Sequence, residues 1–531
     1  MKQRKYLDFY GLVGRAAAPN PDFPHEVEDM LADMAYARVH GAAVIHNTAV
    51  DYSYEYGNKE VIKVANENKR LFGLAVVSSC CDYETGNKNY YNDLLDSGIR
   101  GFVILPNNRV HGLIEPKSLK KAVTPLIESG RPLIIPDAYL EDIFYKVDAI
   151  AEAYPELNII MKGGRWGSNR FLFDLMDNHH NISYEISQNH GNQVIEYTKD
   201  HFGIERVLFS SEWPLRSMGA IKTIVEYADI SEEEKDLVAH GNACRLFGIS
   251  PDDLELYDDK DCQLDELARE MDAGLPVSTT VIDAHTHVEE HELAYNNNNN
   301  FAADSDSMVK KMDALGIDTV LTSPFIGLFV DGIKANEEVL EICKKHPGRF
   351  LGYSCCNVNY EVERNAVNKY MADYPDVFVG MKPYPPGNRF DLTGELPREW
   401  FEYANEHHLP ALIHAESKDA TDAVEILSER YPNITFILAH SGASYGMARI
   451  NAAAARRHDN VVVDITYTNT GRGIVELLVK EAGEDKVLYG SDMPMRDPAP
   501  QLGWVCYADL PVETKEKILC GNIKRIMDKR K

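Results

Sequence analysis

The chain repeats itself, and that repeat constrains its fold more than any other feature. "YPELNIIMKGG" (154–164) matches "YPNITFILAHS" (431–441) at an offset of 277 residues. "RVLFSSEWP" (206–214) matches "KVLYGSDMP" (486–494) at 280, "PLIIPDA" (132–138) matches "ALIHAE" after Pro410 at 278, "HGNACRLFG" (240–248) echoes "CGNIKRIMD" (520–528) at 280, and "YLDFY" (6–10) echoes "VIDAH" (281–285) at 275. Offsets this constant across 531 residues mean a duplicated domain rather than a short motif used twice. A chain of this length is also too long for one ordinary core.

Each copy alternates short apolar runs with amphipathic, helix-length stretches. The second copy has eight such runs, "VIDAHTH", "DTVLTS", "FLGYSCC", "FVGMKP", "ALIHA", "TFILAHS", "VVVDIT" and "VLYGSD", and the first has eight in the same order. Eight β/α units in about 250 residues is the size of a closed parallel barrel. The expected fold class is therefore α/β, as two tandem (β/α)8 TIM-type barrels. An open doubly wound sheet would want a glycine-rich phosphate turn after an early strand, and neither copy has one. The expected division is a first barrel over 1–250, an acidic linker with one short helix over 251–278, and a second barrel over 279–531. "AYNNNNNF" (294–301) reads as a loop after the first strand of the second copy.

With 83 acidic and 55 basic residues, the formal charge is −28. That excludes a general nucleic-acid or anionic-membrane surface and leaves room for a small-molecule substrate in a local pocket. No apolar run has the length of a membrane span. The N-terminal apolar stretch is short and contains Asp8, so no signal peptide is expected. Nine cysteines without C-x-x-C spacing fit reduced thiols and a cytoplasmic protein. The pairs Cys80–Cys81 and Cys355–Cys356 are expected to pack rather than to react.

The chemistry sits at the ends of the strand-like runs of the second copy. His285 and His287 are one residue apart at the end of the first run, so both face the same side of the strand. His414 ends the fifth, His440 the sixth and Asp492 the eighth, all at the rim where parallel barrels place their reactive groups. Three imidazoles and a carboxylate make a first-row metal site with room for water.

The motifs "DAHTH" (283–287), "GMK" (380–382), "IHAE" (413–416), "AHSG" (439–442) and "GSDMP" (490–494), with "GN" at 521–522, resemble the amidohydrolase superfamily. Within it, the resemblance is to the amidohydrolase-related group that includes aminocarboxymuconate-semialdehyde decarboxylase, resorcylate-type decarboxylases and several lactonases. That resemblance implies that His285, His287, His414 and Asp492 hold one divalent metal, zinc first and manganese second. It places His440 beside the metal as an acid/base group or second-site ligand, with Asp492 sharing the proton transfer. Lys382, on the fourth strand, is carboxylated and bridges two metals in binuclear relatives; in mononuclear ones it contacts substrate or packs its stem. Tyr384 and Arg496, with Arg389 and Arg472, fall in segments that line such a pocket, so Lys382, Tyr384 and Arg496 are the candidate substrate contacts. His407 and His408 end a helix on the opposite rim and read as structural.

By the offsets, the first copy has Tyr10 and Leu12 for the histidine pair, Pro136 for His414 and Gly163 for His440, and keeps only a carboxylate, Glu212, for Asp492. A fold without a metal site is expected there, with His46 as a packing residue. The arrangement reads as a degenerate barrel forming an intramolecular pseudo-dimer with an active one. Arg165, Trp166 or Trp213 of the first copy would reach the active rim, and further homo-oligomerisation is left open. The expected activity is metal-dependent hydrolysis of a small amide, lactone or ester. Non-oxidative decarboxylation of a small carboxylate by the same site is the alternative, and non-catalytic metabolite binding a third.

Overall fold

The computed structural model describes residues 3–17, 23–106, 112–138, 140–164, 167–258, 263–290, 302–467 and 470–531. Two compact units divide the chain, Met1–Leu264 and Asp265–Lys531. The expected loop at 294–301, and Arg165 and Trp166, lie outside the described residues. No described helix is long and apolar enough to cross a membrane.

The second unit is an eight-stranded parallel sheet in strict chain order. Its strands are β10 (Ile282–Thr286), β11 (Thr319–Thr322), β12 (Phe350–Ser354), β13 (Phe378–Met381), β14 (Ala411–His414), β15 (Phe436–Ala439), β16 (Val461–Asp464) and β17 (Val487–Leu488). The first and last strands meet: Ala284 N–H donates to the Tyr489 carbonyl at 3.0 Å and Asp492 N–H to the His285 carbonyl at 2.8 Å, which closes the barrel. One buried residue from every strand joins a common core, Ala284, Leu321, Tyr353, Val379, Leu412, Ile437, Val462 and Leu488. Parallel strands covered on both faces read as continuous apolar runs, which is why they stand out in the sequence.

The first unit repeats this plan with β1 (Leu7–Val13), β2 (Gly41–His46), β3 (Leu71–Gly73), β4 (Ala75–Val76), β5 (Phe102–Val103), β6 (Leu133–Pro136), β7 (Ile159–Lys162), β8 (Ile182–Glu185) and β9 (Val207–Leu208). The run expected as its third strand is split at Leu74 into β3, which pairs with β2, and β4, which pairs with β5. Phe9 N–H donates to the Phe209 carbonyl at 3.0 Å and Leu12 N–H to the Trp213 carbonyl at 2.8 Å, so β1 also meets the last strand.

Both units fasten this seam with a buried carboxylate. Asp283 Oδ1 accepts the Ser491 N–H at 3.0 Å and the His285 N–H at 3.1 Å. Asp8 Oδ1 accepts the Ser211 N–H at 2.9 Å and the Tyr10 N–H at 3.3 Å, and the Ser211 hydroxyl donates to Asp8 Oδ2. The "GN" motif serves the same end of each barrel. Asn522 Nδ2 donates to the carbonyls of Glu484 at 2.7 Å and Val487 at 2.9 Å, and Asn242 to those of Ile204 at 3.0 Å and Val207 at 2.9 Å.

The segment between the copies carries a short helix that is partly buried. The helix Glu266–Asp272 buries Leu267, Ala268 and Met271, and Asp265 pairs with Lys515 of the same unit at 2.5 Å. Trp213 is fully buried, and its Nε1 donates to Asp33 Oδ2 of the same unit at 2.7 Å. Burying an indole N–H requires an acceptor. His46 ends β2 and caps the helix Asn47–Asp51, its Nδ1 accepting the Thr48 N–H at 3.3 Å.

Burial lifts the Asp8 carboxyl to about 6, against the donors from Ser211 and Tyr10 that favour its charged form. In the unfolded chain it titrates near ~4. Between those values the folded chain binds the proton more tightly, so this group makes stability fall as pH rises through the window, by up to about 3 kcal/mol. Denaturation of the full chain followed at first-unit sites should show that slope in the native protein. Asp8→Asn, which keeps an acceptor oxygen, should flatten it.

Candidate metal centre

Two donors are supplied by β10 and the residue after it. His285 is fully buried and His287 nearly so. His287 Nδ1 donates to the Ser323 carbonyl at 2.8 Å, and because a carbonyl only accepts, the neutral ring keeps its lone pair on Nε2. His285 Nδ1 faces Asp464 Oδ2 at 2.9 Å, which likewise presents Nε2 to the barrel mouth. Asp464 uses its other oxygen, Oδ1, to accept the His440 N–H at 2.8 Å and the Thr466 N–H at 3.0 Å. Carboxylate and carbonyl partners of this kind fix the tautomer and aim of a metal-ligating imidazole.

The third donor is Asp492, after β17. Its Oδ1 lies 3.1 Å from His287 Nε2 and 3.6 Å from His285 Nε2. One ligand atom from each of the three residues falls within 4.8 Å of the others, and all three are buried. Asp492 has φ 65 and His440 φ 63, the left-handed region that side-chain-bearing residues enter at a cost. Both follow strand ends, and the turn sends their side chains back over the mouth. Gly490 permits the approach. A Cβ there would stand 2.4 Å from Thr466 Oγ1 and 2.9 Å from His285 Cβ.

Positive charge converges on the same centre. Arg496 pairs with Asp492 Oδ2, and Lys382 Nζ donates to His285 Nε2 at 3.0 Å. Burial opposes the ionised Asp492 carboxylate, yet Arg496 and the imidazoles outweigh it and hold the group well below the usual carboxylate range. Burial, then Lys382, keeps the His285 imidazole well below its ordinary value, and burial does the same for His440. Burial draws the Lys382 amine down to about 8, against the pull of Asp492 and Asp464.

His414 stands apart from the three-residue group. It is half-buried at the end of β14, its Nε2 lies 2.9 Å from Glu416 Oε2, and its ring centroid is 4.3 Å from that of His440. His440 is buried beside the group, its centroid 4.9 Å from that of His285, and its Nδ1 has no hydrogen-bond partner among the described residues. Tyr384 packs edge-on to His414 at 5.4 Å, and Phe325 stacks on His287 at 4.7 Å. Arg389 is exposed. The Arg472 carbonyl accepts the Tyr445 hydroxyl.

Sequence reasoning passed over Asp464 and Glu416. The signal for Asp464 was a lone acid closing the apolar run "VVVDIT", a poor place for a carboxylate without a partner to hold. Glu416 stood two residues after His414 in "IHAE".

The donor set fits a divalent ion: two imidazoles with their Nε2 lone pairs aimed inward, a carboxylate beside them and, on the neighbouring His440 ring, a buried nitrogen without a partner among the described residues. The Amidohydrolase family model matches residues 7–249 and 282–528, once in each unit. The chain belongs to the amidohydrolase family. Among solved structures, this amidohydrolase is similar to a 2,6-dihydroxybenzoate decarboxylase from Rhizobium, at 18% identity over 47% of this chain and 98% of that one, with a TM-score of 0.39. It is also similar to a manganese complex of 5-carboxyvanillate decarboxylase from Novosphingobium aromaticivorans, at 15% identity over 47% and 96% with a TM-score of 0.38. A dihydroxybenzoic acid decarboxylase from Polaromonas with bound manganese matches at 18% identity over 47% and 97%, TM-score 0.38. No curated protein matches the sequence.

Asp464→Asn tests the support beneath His285. An amide cannot accept from His285 on one side and from two backbone N–H groups on the other, so the imidazole loses its fixed aim. Metal affinity, measured by competition with a chromogenic chelator, should fall about 10- to 100-fold while the fold persists. Unchanged affinity would separate Asp464 from metal binding.

Proposed function

We propose that the second unit is a divalent-metal-dependent hydrolase of a small amide, lactone or ester. His285, His287 and Asp492 would hold the ion, zinc or manganese, and His414 would complete the set by turning from Glu416. The observation that carries this reading is the buried convergence of two oriented imidazoles and a carboxylate at the barrel mouth. An ion held there supplies Lewis acidity toward water and toward a carbonyl oxygen.

The chain's own residues account for the rest. His440, whose ring lies 4.9 Å from that of His285 and whose buried Nδ1 has no partner among the described residues, carries a proton between water and the leaving group. Arg496 fixes one oxygen of Asp492 and so leaves the other directed at the imidazoles. Phe325 and Tyr384 close apolar surface over His287 and His414, which keeps bulk water from the reacting atoms.

A second reading, non-oxidative decarboxylation of a small carboxylate, is favoured by one feature. Lys382 and Arg496 are two buried cations beside the same centre, a suitable receptor for a substrate carboxylate. A screen of metal-loaded protein over lactones, N-acyl compounds and aromatic carboxylates distinguishes the two by acid release against carbon dioxide release. Activity should vanish on chelation and return with zinc or manganese. His440→Gln should lower kcat by about 100-fold or more with metal content unchanged. A purified protein that holds no metal after growth in supplemented medium would overturn both readings and leave metabolite binding.

A further inference from the structure

The first unit keeps the carboxylate end of this centre and fills the rest differently. Strand register sets the correspondence: Pro136 pairs with Lys162 as His414 pairs with Ala439, and Leu133 with Ile159 as Ala411 with Phe436. On the same footing Glu212 answers to Asp492, Glu185 to Asp464 and Tyr10 to His285.

Glu212 is buried and, like Asp492, has positive φ, 55. Its Oε2 accepts from Arg216 Nη1 at 2.9 Å and Gln188 Nε2 at 2.8 Å. Arg216 lies four residues on, as Arg496 does from Asp492, so one oxygen is engaged alike in both units. The other oxygens differ. Asp492 Oδ1 faces the imidazoles of His285 and His287, whereas Glu212 Oε1 is paired with Lys162 Nζ. The Lys162 ammonium is itself buried and lies 4.8 Å from the centroid of the Tyr10 ring, the counterpart of His285. Two of the four replaced histidine positions lie beside or next to Lys162 in register and sequence. Pro136 replaces His414, and at Gly163, which replaces His440, a Cβ would stand 2.9 Å from the Asp137 carboxyl, so no imidazole fits.

We propose that Lys162 is a built-in cation that occupies, in the first unit, the place on the buried carboxylate where the second unit gathers its metal ligands, so that this unit completes its centre without an ion and serves as a non-catalytic barrel. The comparison of centres rests on the metal reading of the second unit; the Lys162–Glu212 pairing does not. Lys162 and Arg216 outweigh the burial that opposes an ionised Glu212 and hold it at about 2. Removing one partner of such a pair leaves an uncompensated buried charge, and removing both charges relieves it.

The test is hydrogen exchange on the full chain, with metal content measured alongside. Lys162→Met should raise exchange in β7 and β9 by about tenfold or more, and Lys162→Met with Glu212→Gln should recover most of that loss. Exchange in the second unit and metal content should stay as in the native protein, at one ion per chain. Unchanged protection in Lys162→Met would overturn the proposal. So would a second ion per chain whose removal by a chelator deprotects β7 and β9. Should Lys162→Met not fold, the double variant and the cation-retaining Lys162→Arg decide: both fold and are protected if the proposal holds, and a double variant no better than the single one refutes it. A second unit without metal would sink the function above and leave this exchange cycle readable.

Discussion

A carboxylate buried at the end of the last strand must be met by positive charge. Leaving it ionised and unpaired in the barrel mouth would cost several kcal/mol, and neutralising it would remove a ligand. Arginine four residues on answers half the demand in both units, through Asp492–Arg496 and Glu212–Arg216. The other half is where they diverge. One unit turns the free oxygen toward a pair of imidazoles suited to share an ion; the other turns it toward an ammonium of its own. The rest of each centre follows from that choice, including which strand ends can carry a ring and which must be small.

The fold was legible because its signals are repeated and local. Buried parallel strands show as apolar runs, and a constant offset registers one copy on the other, so the barrel class and the strand ends could be read without coordinates. His285, His287 and Asp492 were legible for the same reason: each is a ligand type at the end of an apolar run. Their orienting groups were harder. Asp464 lies inside the run that closes the seventh strand, and its role is a contact 179 residues away in the chain, with His285. Ser323 acts through a carbonyl, which no side-chain motif records. An indole near a strand end reads equally as rim or core, and the partner that Trp213 has in Asp33 lies 180 residues earlier, where no local motif records it.

Lys162 escaped for an instructive reason. Reading equivalent positions asks what replaced each ligand, and the answers were tyrosine, leucine, proline and glycine. The replacement charge enters one residue earlier, on a side chain long enough to reach from the strand body to the mouth. A flexible four-carbon stem lets a cation arrive from a position where an imidazole could not. A charge absent at one set of positions is thus supplied at another, and position-by-position comparison does not see it.

What the degenerate unit has kept can be explained by counting orphans. Asp8 and Ser211 remain because deleting either leaves a buried donor or acceptor unpaired at the seam, and Asn242 remains because two strand-end carbonyls depend on it. The imidazoles carried no such obligation once Asp464's counterpart found other donors. Glu185 accepts the Gly163 N–H at 3.0 Å and the Ser187 N–H at 2.7 Å, as Asp464 accepts those of His440 and Thr466. The Ser187 hydroxyl, at 2.9 Å, is a further donor to Oε1, the oxygen that also accepts from Gly163, whereas the further donor to Asp464, His285, meets the oxygen that the backbone N–H groups leave free. A barrel of this kind can therefore lose its metal ligands without losing its fold, provided that every buried acceptor left behind is given a new donor. The seam carboxylate and the mouth carboxylate obey one rule, and only the mouth allows a choice of cation.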